Sequence, residues 1–505
     1  MSHLIILPLL LPLLTGIVLL LLRGSAMALH RPINIAATLG LVAVAVTLLL
    51  QVGDGQIEVY LLGNWSAPFG IVLAADRLAA VMVLVTALLA TGVLLHRAPF
   101  SGNTGSLFHV LFQMQLFGLN GAFLTGDLFN LFVFFEVLLI ASYGLLLLGG
   151  GRDRTRAGLH YVVLNLVGST LFLFAVGSLY GVLGTLNMAD MAVRLAELPE
   201  SDLGVVRTAG LLLFAVFALK AALAPLHLWL PGAYGYTSAP VAAMFAIMTK
   251  VGAYAILRVY SLLFGPDSGP AAGLLDPWLV PLALLTVAAG TVGILASRRL
   301  AQQAACLVVV SAGTLLTAFG LGGTAAVAAG LYYLAHTTFA AAALFLLTDV
   351  ISRARGTISD HLVTGPDLPR GQLLAGVFLL IAIAVTGLPP LSGFIGKWLI
   401  LQSSIDNPWM AWVLGLLLLT SLLGVMGLAR SGSQLFFDTD ASVEAGPATR
   451  LSNLTAPLFL LLLGIALVVY SGPLYEFSRA AAAQLVQPSA YVEAVLQAAE
   501  AGSVR

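Results

Sequence analysis

The sequence predicts an all-α polytopic membrane protein of about fourteen transmembrane helices, with two inverted five-helix repeats at its centre. Three observations carry this fold class. Hydrophobic residues make up 60% of the 505 positions and charged residues only 9%, against about 25% charged in a soluble chain. Mean hydropathy is +1.03. Apolar runs of about 20 residues, the length that crosses a bilayer core as a helix, recur along the whole chain. The 52 Gly and 22 Pro fit membrane helices, where both are commoner than in soluble ones. The composition excludes a soluble enzyme, a disordered chain and a nucleic-acid binder. A net charge of zero implies no strongly basic or acidic partner surface. Cys306 is the single cysteine, which excludes a disulfide framework and a Cys-rich metal or iron–sulfur site.

The elements follow in order. Spans at 4–22, 33–51 and 73–95 form an N-terminal group within 1–106. The first is a retained helix. Ala26-Met27-Ala28 mimics a cleavage site, but the run before it is too long for a signal-peptide core and lacks a positive leader. Spans at 107–126, 128–149, 160–183, 206–231 and 237–263 make the first repeat, 107–263. Spans at 278–297, 302–321, 325–350, 372–403 and 408–430 make the second, 278–430. A last span at 454–472 and a short tail complete 431–505. Two splits, after 126 and after 321, rest on very short loops. No loop is long enough for a soluble catalytic domain. Residues 184–205 and 351–371 have room for short surface helices, and the tail, with Glu476, Arg479, Glu493 and Glu500, reads as a short amphipathic helix. No phosphate-binding or dinucleotide motif occurs; Gly393-Phe394-Ile395-Gly396-Lys397-Trp398 lacks the spacing and the Ser/Thr of a P-loop. No cofactor is implied, and the dispersed histidines suggest no metal site.

Arginines orient the bundle. Thirteen fall in alternate loops: Arg23, Arg31, Arg97, Arg152, Arg154, Arg156, Arg298, Arg299, Arg353, Arg355, Arg370, Arg430 and Arg450. Six fall on the other side: Arg77, Arg194, Arg207, Arg258, Arg479 and Arg505. The richer side is the cytoplasmic one. Both termini are then extracytoplasmic, and an even helix count agrees with their sharing one side.

The lysines separate from the arginines. All three, Lys220, Lys250 and Lys397, fall inside predicted spans, while nearly all nineteen arginines fall in loops or at helix ends. A buried lysine can release its proton and an arginine effectively cannot. That segregation points to proton exchange; the alternative is a set of structural pins between helices. Glu136, nine residues into an apolar span, is the one deep carboxylate, and Lys220 is its depth-compatible partner. Asp76, Asp127 and Asp349 sit near helix ends, where capping or interfacial solvation accounts for them. Two spans are interrupted, by Pro225 after Lys220 and by Gly387-Leu388-Pro389-Pro390 before Lys397. Broken helices at membrane depth are tolerated where they line a watered cavity, and paired breaks point to inverted repeats around a transport site. His336, on the span before the second break, and His227, just after Pro225, are candidate relay groups. Lys250, mid-span with no carboxylate on its own helix, is the candidate central proton carrier.

With these residues in view, the chain resembles a family. Leu124-Thr125-Gly126-Asp127-Leu128-Phe129-Asn130 leading into Phe134-Phe135-Glu136-Val137 is similar to the fifth-helix signature of antiporter-like, proton-translocating membrane subunits. Lys220 with Pro225-Leu226-His227-Leu228-Trp229-Leu230-Pro231, Ser238-Ala239-Pro240-Val241 before Lys250, and Gly387-Leu388-Pro389-Pro390 before Lys397 complete the set. Glu136-Val137-Leu138-Leu139-Ile140-Ala141-Ser142-Tyr143 resembles the D-type component of Mrp multisubunit sodium/proton antiporters most closely. The chain lacks the long C-terminal extension of the A-type Mrp component and the lateral helix of the largest complex I relative. The resemblance implies a Glu136–Lys220 pair, a middle lysine at Lys250 and a terminal lysine at Lys397. It implies a secondary transporter component rather than an enzyme, working only with other subunits in a bacterial inner membrane. The exchanged cation is Na+ or another monovalent ion, which a partner subunit can carry, since no second deep carboxylate is present here. The alternative is a proton-pumping subunit of respiratory complex I or a membrane-bound hydrogenase.

Overall fold

The computed structural model describes residues 3–24, 27–65, 70–96, 102–440 and 442–503. Ala26, Arg97 and Arg505 lie outside the described residues. The chain begins with α1 (Leu7–Leu21) and α2 (Met27–Gln51), then a small ribbon of β1 (Glu58–Leu61) and β2 (Val72–Ala75). Next come α3 (Arg77–Leu95), α4 (Gly102–Leu124), α5 (Leu128–Leu147), α6 (Arg152–Leu183) and α7 (Met188–Ala196). The centre runs through α8 (Leu203–Ala221), α9 (Trp229–Tyr236), α10 (Ala239–Phe245), α11 (Met248–Leu263), α12 (Leu279–Ala296), α13 (Leu300–Leu321) and α14 (Gly323–Ala354). The rest is α15 (Gly371–Thr386), α16 (Ser392–Ser403), α17 (Met410–Phe436), α18 (Thr455–Val469), α19 (Ser471–Val486) and α20 (Ser489–Ser503).

Among the described residues, twelve helices are long and apolar enough to cross a membrane, thirteen if the bent pair α18–α19 is one span. Such helices are apolar on every face, as a segment between core and lipid must be. α11, α13 and α14 are buried on nearly all sides, whereas α1, α2 and α17 turn apolar side chains such as Leu21, Leu50 and Trp412 outward. The two doubtful splits hold. Thr125–Asp127 separates α4 from α5, and Asp127 caps α5 by accepting from the Asn130 N–H at 2.7 Å. A single residue, Gly322, separates α13 from α14; it and Gly323 have φ of +70° and +73°, a conformation only glycine adopts cheaply.

The run at 372–403 is two short helices, α15 and α16, parted at residues 387–391. Four expectations change. The run at 454–472 is the fifteen-residue α18, which bends by 82° into α19. The tail is two helices rather than one, and they pack back onto the body: Ala481, Ala482, Leu485, Tyr491 and Val495 are buried, α19 against α14 and α20 against α7 and β1. An antiparallel ribbon pairs Glu58 with Ala75 and Leu61 with Val72, a feature absent from the all-α expectation. Residues 351–371 hold only one tight turn, Gly356–Ile358, while 184–205 do hold α7.

Candidate functional site

Glu136 projects from α5 and Lys220 from the last turn of α8, and both reach α6. Asn165 and Ser169 are four residues apart on α6 and so share a face. The Ser169 hydroxyl donates to Glu136 Oε1, and Lys220 Nζ donates to Asn165 Oδ1 at 3.0 Å. The expected contact between Glu136 and Lys220 is therefore not direct. The ion pairs among the described residues join Asp349 to His96 and Arg353, Asp190 to Arg194, Asp76 to Arg258 and Asp360 to Arg299. Glu136 and Lys220 thus contact successive turns of α6, through Ser169 and Asn165, whose backbone positions differ by about 6 Å along the α6 axis.

The interruption after Lys220 is local chemistry. Ala222 takes a left-handed conformation with φ +57°, and the Ala224 N–H freed by the break donates to Thr286 Oγ1 of α12 at 2.7 Å. The second interruption matches it: Gly387, with φ +79°, ends α15, and Ser392 opens α16. Lys397 of α16 folds back across that break. Its Nζ donates to the Thr386 carbonyl and to Ser421 Oγ of α17, both at 2.8 Å. Lys397 thus meets the C-terminal, negative end of α15, and Lys220 stands in the last turn of α8; a cation is favoured at such ends.

Lys250, on the first turn of α11, is fully buried. Its Nζ donates to Ser311 Oγ of α13 at 3.1 Å and to Thr249 Oγ1 at 3.3 Å. Just before it, the Ala246 and Ile247 N–H groups bond three residues back rather than four, so α10 and α11 form one span with a tightened joint. His336, on α14, holds Ser392 Oγ at 2.8 Å through Nδ1. A cavity of about 20 Å³, room for one water, is lined by Ser311, His336, Thr386, Lys397 and Ser421. A second, about 10 Å³, lies on the other side of His336 beside Ser392. The structure therefore brings His336 and Lys397 to one small cavity, which Lys250 reaches only through Ser311.

Lys220 joins this group through the backbone. A Cβ at Gly252 would stand 2.4 Å from the Ala221 nitrogen, so α11 touches the broken end of α8 where only glycine fits. His227 is not gathered in. It lies half-buried in the turn after Pro225, with Nδ1 unbonded among the described residues, and lines neither cavity.

All three lysines have neutral partners. Arg258 is the contrast. The sequence places it at a helix end, yet it is buried within α11, two turns beyond Lys250. Asp76 holds it in a bidentate pair at 2.6 and 2.7 Å, with the Tyr254 and Tyr491 rings 5.6 and 5.1 Å away. Asp76 also caps α3. Sequence reasoning does not reach the partners Asn165, Ser169, Ser311 and Ser421. The one available signal is the four-residue spacing of Asn165 and Ser169 in an apolar run. Outside the spans, burial pushes the Asp127 carboxyl up to about 6, against the backbone N–H bonds from Asn130 and Phe129.

Residues 125–426, which contain every one of these relay candidates, match the family described as NADH:quinone oxidoreductase/Mrp antiporter, transmembrane. The chain belongs to that family. Its antiporter relatives match over almost their whole length. The D subunit of a probable K(+)/H(+) antiporter from Rhizobium meliloti is 40% identical over 537 residues, covering 100% of this chain and 99% of the relative. The D subunit of an Na(+)/H(+) antiporter from Alkalihalophilus pseudofirmus is 37% identical, covering 98% and 100%. Among solved structures, a chain of the Mrp complex from Dietzia superposes with a TM-score of 0.85 at 27% identity, over 98% of this chain and 100% of that one. A chain of the archaeal membrane-bound sulfane sulfur reductase gives 0.89 at 26%, over 98% and 100%. The fold of the NADH:quinone oxidoreductase/Mrp antiporter family is thus common to antiporter and respiratory assemblies.

Proposed function

We propose that the chain is the proton-translocating D subunit of a multisubunit monovalent cation/proton antiporter in a bacterial inner membrane. One observation carries the reading. Every lysine of the chain sets its ammonium among uncharged oxygens, whereas the arginine buried beside them is fully paired with a carboxylate. A charge left unpaired at membrane depth costs several kcal/mol. A lysine escapes that cost by giving up its proton; Arg258 is held by Asp76 instead. Glu136, Lys220, Lys250, His336 and Lys397 then form a lateral relay, with Asn165, Ser169, Ser311 and Ser392 as the polar steps between them. His227 serves as an access group at the first break. The exchanged cation, Na+ or K+, resides in a partner subunit, since the described residues hold no cluster of acidic or histidine ligands. The 37% and 40% identities to antiporter D subunits favour this reading over a respiratory one.

The finer architecture belongs to the same proposal. Counting the broken α15–α16 pair and α18 as spans gives fourteen, with both termini extracytoplasmic. The repeats pair α4–α11 with α12–α17, which matches the break after α8 with the break between α15 and α16. The two left-handed stops, at Ala222 and Gly387, support that match.

Glu136→Gln tests the function. In a complete complex expressed in an antiporter-deficient strain, antiport should fall to background while complex content stays normal, because the amide is cheaper to bury. Wild-type antiport in that variant would sink the relay.

A further inference from the structure

Residues 7–124 precede the segment that matches the family, yet they hold a buried polar seam the relay does not use. It runs between α2 and α4. His30 Nδ1 and Ser106 Oγ are 3.2 Å apart. One turn on, the Asn34 amide nitrogen meets His109 Nδ1 at 2.7 Å. Gln113 Nε2 donates to Asn34 Oδ1 at 2.6 Å and reaches Thr38 Oγ1 at 3.4 Å. Both residue numbers rise together, so the helices are parallel and the seam climbs about 12 Å from the arginine-rich end of α2. The His30 and His109 rings stand edge to face with centroids 6.4 Å apart. His30 Nε2 is buried with no hydrogen-bond partner among the described residues.

As glue the seam gains little, since interhelical polar contacts contribute only weakly in membranes. Its connectivity has another property. With His109 neutral, Nδ1 accepts from Asn34, and Asn34 Oδ1 accepts from Gln113. A proton added at His109 Nδ1 turns that nitrogen into a donor. Asn34 must then present Oδ1 to it and turn its amide nitrogen to Gln113 Oε1. One N–H bond forms, none breaks, and two amides reverse. The charged or titratable groups nearest His109 are His30 and Arg31. Arg31 lies at the mouth, its Nη2 donating to the Leu94 carbonyl. Of the other elements packed on α4, α1 brings none and the turn at Leu22–Gly24 brings Arg23. α3 has Arg77 and His96 at its ends; Glu136 and Tyr143 of α5 turn to Ser169 and Tyr161 of α6; on α11, Lys250 turns to α13, Arg258 pairs with Asp76 and Tyr254 donates to the Phe123 carbonyl at the far end of α4.

We propose that His30 and His109 form a second proton-binding site, loaded from the arginine-rich face, whose occupancy reverses the hydrogen-bond chain down to Thr38 and so sets the pH response of transport. The site goes beyond the Glu/Lys relay but rests on proton transport as the activity. The test uses the whole complex, with Glu136 and all three lysines intact. His109→Asn keeps an acceptor at the Nδ1 position and cannot bind a proton at neutral pH. It should assemble normally, cut antiport at least fivefold and flatten its pH profile. His30→Asn, which keeps the Ser106 contact, should do the same and decides the matter if His109→Asn does not assemble. A wild-type rate and pH profile in the assembled Asn variant, with loss only in His109→Ala, makes the seam packing alone and overturns the proposal. Glu136→Gln measured alongside reports separately on the relay.

Discussion

At the scale of single residues, the account turns on which polar atom faces each titratable group. Among the described residues, Ser311 is the one side chain from another helix that holds Lys250 Nζ. A hydrogen bond to a charged group contributes about 1.5–3 kcal/mol, so Ser311→Ala should cut antiport at least tenfold at unchanged complex content; an unaltered rate would remove Ser311 from the path. Asp127 gives a stability prediction. Its raised carboxyl, at about 6 against an ordinary 3.8, binds a proton more tightly in the folded chain than in the unfolded one. The stability it contributes is full below about pH 4 and is lost as pH rises through about 6. Asp127→Asn keeps an N-cap and removes that dependence. Its unfolding temperature in detergent should match wild type near pH 4 and exceed it above pH 7, by the equivalent of about 2–3 kcal/mol. Equal temperatures across the range would show that the burial is relieved. The rare residues of this site are legible in the sequence. Lysine occurs three times, and Glu136 stands alone in its apolar run. Their partners are not, because serine and asparagine are ordinary in membrane helices and nothing in one sequence says which face meets which helix.

At the scale of elements, the breaks are legible where proline and glycine mark them. The joint between α10 and α11 is not, since Ala246 and Ile247 carry no such mark and the distortion comes from packing. Gly252 shows what that packing demands. Gly252→Val would force α11 away from the end of α8, with an overpacking cost of about 1–3 kcal/mol. Lower thermal stability and reduced antiport together are expected. Normal stability with normal transport would mean the two half-helices need not touch. α18 looks like a full-length span in sequence because apolar content carries no information on bends; the turn at Tyr470 ends it early.

At the scale of the molecule, the recurring apolar runs give the class and most spans, while the tail reads as one amphipathic helix and its docking stays hidden. α19 and α20 contain too few large apolar groups to announce a docking face, yet Tyr491 reaches Arg258, and Gln484 donates to the Gly55 carbonyl at 2.9 Å. The tail therefore ties the end of α11 to the ribbon and α3. Tyr491→Ala should lower the unfolding temperature of the complex, by about 0.5–2 kcal/mol for the lost ring–cation contact. Antiport per complex should stay near wild type, because Arg258 keeps Asp76. A large loss of transport in stable complexes would place that cluster within the relay.

The central claim is that a buried lysine gives up its proton during turnover, and Lys250 tests it most directly. Arginine keeps the charge and most of the reach but stays protonated. The measurement is cation-dependent dissipation of a pH gradient in vesicles with matched complex content, comparing Lys250→Arg and Lys250→Ala. The account predicts that the Arg variant assembles better than the Ala variant and transports no better. Substantial antiport with arginine at this position would contradict it and leave Lys250 as a fixed charge.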